Sequence, residues 1–245
     1  MSVFIVGIVG SPRKGGLTSR LVKSALEGAR EKDASVELVY LVDYDLKPWT
    51  PEHGTAPEEL NELMRRADGY VVGSPVYYLD VNGLTKNFFD TVDLGDSNGK
   101  PALGIAVAGG TGKGLVLAVK TIYYYFFCKG LRGLEPIPVS RFNFDEALKD
   151  ARRLGALLAE KASEKRPFRS LEERIAYFES LKYMDMTMLD EMMLLARQLF
   201  KTSPRSDNLE EARRSYAKAT GLIEEGRRLE AVSYAVRAYE LLYYR

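Results

Sequence analysis

Five short, nearly continuous apolar runs, each followed by a segment with helical spacing, occupy the first 165 residues of this 245-residue chain. A run of this kind suits a parallel strand covered on both faces, where every side chain is buried. The runs lie at 3–10, 36–42, 69–78, 101–110 and 134–140. The segments between and after them predict helices at 17–32, 56–67, 82–93, 114–130 and 145–165. Pro57 stands at the start of the second helix and Gly130 closes the fourth, both favoured positions. Such an alternation predicts an α/β domain built on a doubly wound, five-stranded parallel sheet.

The pattern breaks at 166–170, and no strand is predicted beyond it. Residues 171–200 read as one helix about 45 Å long or as two shorter ones. Residues 201–208 read as a turn with Asp207 or Asn208 as an N-cap. The remainder predicts a helical hairpin turning near Gly226. The expected division is therefore a sheet domain, 1–168, and an all-α extension, 169–245.

Bulk properties narrow the function classes. The net charge is +1, so no overall field favours nucleic acid or an anionic membrane. No apolar run approaches the roughly 20 residues that span a bilayer. The N-terminus enters a strand without a cleavage signal, which points to a cytoplasmic protein. One cysteine and one histidine rule out an internal disulfide and any metal cage built on those residues. A Ser-His-Asp triad would have to use His53, which lies in the loop-like stretch KPWTPEHGTAP and is expected at the surface. Cys128 is expected as a small buried apolar residue.

In an open parallel sheet, ligands bind beyond the carboxyl ends of the strands, where strand order reverses. Three loops there have unusual composition: 11–19, 74–83 and 108–114. The first combines hydroxyls, glycines and a helix start, which suits phosphate. The second is a proline turn bearing apolar and aromatic groups, which suits a flat ring. The third is glycine-rich and lets backbone N–H groups approach a ligand. Counting removes three phosphate motifs. Gly7 and Gly10 do not make G-x-G-x-x-G, and Val107 and Gly114 break a P-loop around Gly112-Lys113. Leu134 stands where a C-x₅-R phosphatase loop after Cys128 needs arginine. What remains is flavin mononucleotide: one phosphate, one ribityl chain, one ring.

GSPRKGGLTSRL (10–21), GSPVYYLDVNGLTKNFFD (73–90) and VAGG (107–110) together resemble the NADPH-dependent FMN reductases of the flavodoxin-like fold. The iron–sulfur flavoproteins are similar too. The resemblance covers about residues 1–165, and its middle motif is the most specific, with Gly73, Ser74, Pro75, Val76, Tyr77, Gly83, Lys86, Phe89 and Asp90 in place. It implies FMN as cofactor, with Ser11, Arg13, Gly16, Thr18 and Ser19 around the phosphate and Lys14 either neutralising it or solvated. Pro75, Val76, Tyr77 and Tyr78 would line the isoalloxazine, and Ala108, Gly109 and Gly110 its pyrimidine side. The implied reaction takes hydride from NADPH or NADH and passes electrons to a flavin, quinone or other small-molecule acceptor. It needs no side-chain acid or nucleophile, so no catalytic residue is assigned. The resemblance also implies a homo-oligomer, dimer or tetramer, and no nucleic-acid or membrane partner.

The chain departs from these relatives in two places. The iron–sulfur flavoproteins carry clustered cysteines after the second strand, whereas 44–54 has none; a cluster is therefore excluded, no metal is expected, and Trp49 is expected to cover the corresponding region. The helical extension has no counterpart in the pattern. Gly226, Glu230, Ala231, Ala238 and Leu241 follow tetratricopeptide spacing, but a single unit needs a neighbour to bury its face. Met184, Met186, Met188, Met192 and Met193 form either a core between extension helices or a docking surface. The aromatic stretch 121–128 is either core or subunit contact. A second reading therefore stands beside the reductase: a flavin-binding electron carrier or redox sensor whose helical tail docks a partner.

Overall fold

The computed structural model describes residues 3–202 and 208–244. One sheet contains β1 (Phe4–Val9), β2 (Ser35–Tyr40), β3 (Gly69–Tyr77), β4 (Asp80–Val81), β5 (Pro101–Ala108), β6 (Arg132–Gly133) and β7 (Ile137–Ser140). The strand order is β2-β1-β3-β5, with β6 and β7 successively pairing the outer side of β5. Every pairing is parallel except the two-residue return of β4 onto β3. With β6 and β7 taken as one interrupted strand, this is the flavodoxin-like order, which reverses between β1 and β3. The interruption follows from Pro136, which offers no N–H and restricts Glu135, so ladder pairing lapses after Leu134.

Helices α1 (Leu17–Arg30) and α5 (Phe144–Ser163) cover one face; α2 (Glu58–Arg66), α3 (Gly83–Thr91) and α4 (Leu115–Lys129) cover the other. α1 and α5 meet backbone to backbone: a Cβ on Gly28 would collide with the Arg152 carbonyl, and one on Gly155 with that of Ala25. In α4 the aromatic stretch divides by helical face. Tyr123 and Phe126 are fully buried, and Tyr125 stacks on Phe89 with ring centroids 4.0 Å apart. Tyr124 points outward. Cys128 lies four residues on, shares that outward face and is exposed. The expectation of a buried Cys128 is therefore corrected: helical register, which its small apolar character does not report, decides its exposure.

Residues 171–200 form two helices, α6 (Leu171–Glu179) and α7 (Met188–Thr202). Each start has its own cap. Ser170 Oγ accepts from Glu173 N at 3.2 Å. The N–H and Oγ1 of Thr187 donate to the Asp190 carboxylate at 2.8 and 2.9 Å, a Thr-x-x-Asp start signal visible in the sequence. The hairpin of α8 (Leu209–Glu224) and α9 (Arg228–Tyr243) turns at Gly226, whose φ is +78°. Arg227 N donates to Leu222 O at 2.8 Å, closing α8 through a left-handed glycine. Asn208 precedes α8; Asp207, the other N-cap candidate, lies outside the described residues. The hairpin buries Ala219, Leu222, Ala231 and Ala235 against Leu189 of α7. Leu195, Leu199, Ala238, Tyr239 and Leu242 run on into the core beneath α2–α4.

Arg132 fastens the extension to the sheet edge. Its guanidinium lies 3.8 Å from the Phe168 ring centroid and pairs with Glu173 at 2.8 Å. The Arg169 backbone N–H, with the Arg132 and Arg169 guanidinium groups, holds the Glu173 carboxyl at about 2, below its ordinary 4.5. A depressed folded-state pKa adds stability above the unfolded value that is lost as pH falls through the folded one. Glu173→Gln is therefore expected to be less stable than the parent at pH 7. In urea melts at stepped pH, that difference should shrink from pH 4.5 downward and vanish near pH 2.

Candidate functional site

The carboxyl ends of β1, β3 and β5 release the three loops picked out from the sequence, and buried polar bonds hold the first two together. Gly10 N donates to Gly73 O at 2.8 Å. Asn82 Nδ2 donates to Gly10 O at 2.8 Å, and Asn82 Oδ1 accepts from Thr85 N at 3.2 Å and from Thr85 Oγ1 at 2.6 Å. Thr85 Oγ1 also lies 3.0 Å from Ser74 Oγ. A Cβ on Gly10 would collide with Thr85 Oγ1. Asn82 thus caps α3 and spans to β1 at once. Sequence reasoning missed both Asn82 and Thr85; the available signal was Asn-Gly ahead of an apolar helical pattern.

In the first loop, Ser11 is buried and its Oγ accepts from Arg13 N at 3.2 Å, while Arg13 is exposed. Lys14 turns away to the end of β2, pairing with Asp43 at 2.6 Å. Thr18 and Ser19 are buried in the first turn of α1. The Ser19 hydroxyl lies 2.9 Å from that of Tyr40, and the Thr18 methyl packs against Gly73. Gly16 precedes the helix with no side-chain cap. The first turns of α1, α3 and α4 contain no acidic residue, whereas α2 and α5 to α8 have two each. The three helix starts facing this edge therefore keep their positive dipole ends free of acidic side chains from their own first turns.

The second loop is strained. β3 returns into β4 through only Tyr78 and Leu79, with φ of +50° and +74°. Hairpin turns with two positive φ values normally use Asn and Gly. Pro75 is buried and Val76 partly so; Tyr77 and Tyr78 are exposed, Tyr78 completely. Replacing Tyr78-Leu79 by Asn-Gly should relieve about 1 kcal/mol per residue. The urea midpoint is expected to rise while affinity for any ligand resting on this turn falls.

The third loop is gripped by the extension. Ala108 is buried; Gly109 and Gly110 are exposed. Gly112 N donates to Gly109 O at 2.9 Å, and Tyr239 of α9 donates its hydroxyl to Thr111 O at 2.9 Å. The buried Glu191 of α7 accepts from Gly114 N and Val116 N at 2.9 and 2.8 Å. Glu191 thereby caps α4 from 75 residues away along the chain. Nothing local in the sequence marks Glu191 or Tyr239 for this part.

A Cβ built on Gly15, Gly83, Gly109 or Gly110 meets nothing within 4 Å. Of these only Gly110 has a positive φ, +50°. Neither packing nor backbone conformation within the chain requires glycine at 15, 83 or 109, so these positions leave open the backbone that a closely approaching ligand needs. That cradle fits a group with one anionic end and one flat end. Among the described residues no cluster of His, Cys, Asp and Glu is arranged to hold a metal ion, and no helix is long and apolar enough to cross a membrane.

Comparison with known proteins bears on the family and the fold. The family model for NADPH-dependent FMN reductase matches residues 3–134. An iron–sulfur flavoprotein of Methanocaldococcus jannaschii is 28% identical over 184 residues, spanning 64% of this chain and 95% of the relative. An NADPH azoreductase of a Bacillus species is 31% identical over 126 residues, spanning 49% of this chain and 66% of the relative. Among solved structures, a flavone reductase superposes with a TM-score of 0.56 at 19% identity, covering 70% of this chain and 69% of that one. At that identity the likeness concerns the fold.

Proposed function

The chain belongs to the NADPH-dependent FMN reductase family, and from that premise we propose that it oxidises NADPH or NADH through an FMN held by the three loops and delivers the electrons to a small-molecule acceptor. The observation that carries the reading is the juxtaposition at one sheet edge of an uncapped α1 start beside Arg13, a strained aromatic turn, and glycines whose missing side chains face open space. FMN, when bound, supplies hydride acceptance and onward electron transfer.

The chain's part in this reading is binding and orientation. Ser11, Arg13 and the N–H groups that open α1 hold the phosphate dianion by charge-assisted bonds and the helix dipole. Gly16 gives that end close access. Thr18 and Ser19 offer backbone N–H groups; the Ser19 hydroxyl is engaged by that of Tyr40, and the Thr18 methyl packs against Gly73. Pro75, Val76, Tyr77 and Tyr78 flank the ring, and Ala108, Gly109 and Gly110 offer backbone to its pyrimidine side. N–H donors there favour the reduced, more negative ring. The reading keeps residues 1–168 as the cofactor domain, with the extension supporting the third loop, and a homo-oligomer as the working assembly.

Arg13→Ala should weaken FMN binding about tenfold, the worth of one charge-assisted contact, measured by absorption titration. The decisive test is anaerobic addition of NADPH or NADH to FMN-supplemented protein. Rapid bleaching of the bound-flavin spectrum supports the reductase. Flavin reduced by dithionite but by neither nucleotide makes the protein a carrier or sensor. Absence of FMN binding overturns both.

A further inference from the structure

Beside the second and third loops lies a cavity of about 390 Å³, within the range of small-molecule sites. The extension and the start of α4 both contribute to its lining. Leu79 of the strained turn, Leu117 of α4, and Met188 and Met192 of α7 all line it. Leu79, Leu117 and Met188 are exposed by 47%, 47% and 80%, a costly display unless something covers it.

The cavity's charge is one-sided. Lys113 and Lys120 both line it, and neither forms an ion pair among the described residues; Lys113 lies 5.4 Å from the Tyr239 ring centroid. The one carboxylate in the lining, Glu191, has both oxygens engaged by the Gly114 and Val116 N–H groups. Thr187 is bonded to Asp190 and Arg228. Two cations thus line a largely apolar cavity with no opposing anion in the lining free to pair with them.

We propose that this cavity binds a small, flat, apolar molecule carrying one acidic group, and that this molecule is the electron acceptor. The acceptor role rests on the flavin reading above. It follows from position, because Leu79 adjoins Tyr78 on the turn assigned to the ring and packs against Gly114 of the third loop; a Cβ on Gly114 would lie 2.5 Å from Leu79 Cα. For a quinone acid the balance is NAD(P)H plus one proton plus quinone giving NAD(P)⁺ plus hydroquinone. The nicotinamide loses two electrons, and the quinone gains two electrons and two protons. Methionine walls suit such a site because the same surface repacks around oxidised and reduced forms.

The test uses full-length protein and two fluorescent compounds of one skeleton, 1-anilinonaphthalene-8-sulfonate and its neutral analogue N-phenyl-1-naphthylamine. One saturable site is expected, tighter for the sulfonate. Leu117→Glu should weaken the sulfonate at least about tenfold. Lys113→Glu with Lys120→Glu should abolish the preference for the sulfonate over the neutral compound. All three substitutions fall on exposed or half-exposed side chains, and FMN titration should be unchanged in Leu117→Glu, which lies outside the three loops. With 1,4-naphthoquinone-2-sulfonate as acceptor, Leu117→Glu should raise KM and leave kcat alone. Unsaturable binding, equal affinity in Leu117→Glu, or a preference that survives the lysine reversals would overturn the proposal. So would a cavity closed to the sulfonate in a stable dimer. An intact sulfonate site in a protein that binds no FMN removes the flavin reading and the acceptor role together. Normal FMN binding without a sulfonate site removes this inference alone.

Discussion

Gly109→Leu is expected to bind FMN about 100-fold more weakly, a loss of roughly 3 kcal/mol, while its unfolding free energy in urea stays within about 0.5 kcal/mol of the parent. The two halves of that result have separate causes. Gly109 is exposed, has no positive φ, and a Cβ on it meets nothing within 4 Å. Within the chain, then, a side chain costs little. Toward a ring resting on the 108–110 backbone the same side chain is an obstruction, since close approach is what glycine permits there. Isothermal titration with FMN and a denaturant melt separate the two. Unchanged affinity would move the pyrimidine end of the flavin away from this loop.

Glu191→Ala should act the other way round, on the fold first. Both carboxylate oxygens are buried partners of the Gly114 and Val116 N–H groups. Their removal leaves two buried donors without an acceptor at the positive end of α4. The expected cost is about 3 kcal/mol, or on the order of 6–12 °C in Tm for a chain of this size. Glu191→Gln keeps one acceptor oxygen and turns an amide toward the other N–H, so it should fall between parent and alanine variant. FMN affinity should weaken in the same order, because Gly114 ends the loop that Tyr239 and Glu191 hold from the extension. An unshifted melting temperature in Glu191→Ala would mean that solvent caps α4 unaided and that the extension does not organise the third loop.

The elements legible from the sequence were those whose signals are local. Apolar runs separated by helical spacing specify strands and helices within a few residues of each other, so β1, β3 and β5 and the helices after them stand where expected. The loops beyond those strands were equally readable, because glycine, proline and hydroxyl clusters state what the backbone there must do. Errors arose where direction mattered. Cys128 is apolar and small, yet it shares its face of α4 with the outward Tyr124. For Ser19, the seating of α1 on the sheet decides a partner that no local pattern names: its hydroxyl lies 2.9 Å from that of Tyr40.

By itself, then, the chain's order of residues determined a flavodoxin-like sheet, the edge from which the three glycine-, proline- and hydroxyl-rich loops leave, and a loop chemistry suited to one anion and one flat ring. Only the tertiary structure decided that the helical extension belongs to that edge. Glu191 caps a helix 75 residues before it, Tyr239 holds Thr111 from 128 residues away, and three extension methionines wall a cavity against Leu79 and Leu117. The reason is physical. A strand or helix declares itself through the period of its own side chains, whereas a buried carboxylate on a distant N–H depends on where two packed elements come to rest, and no local period records that.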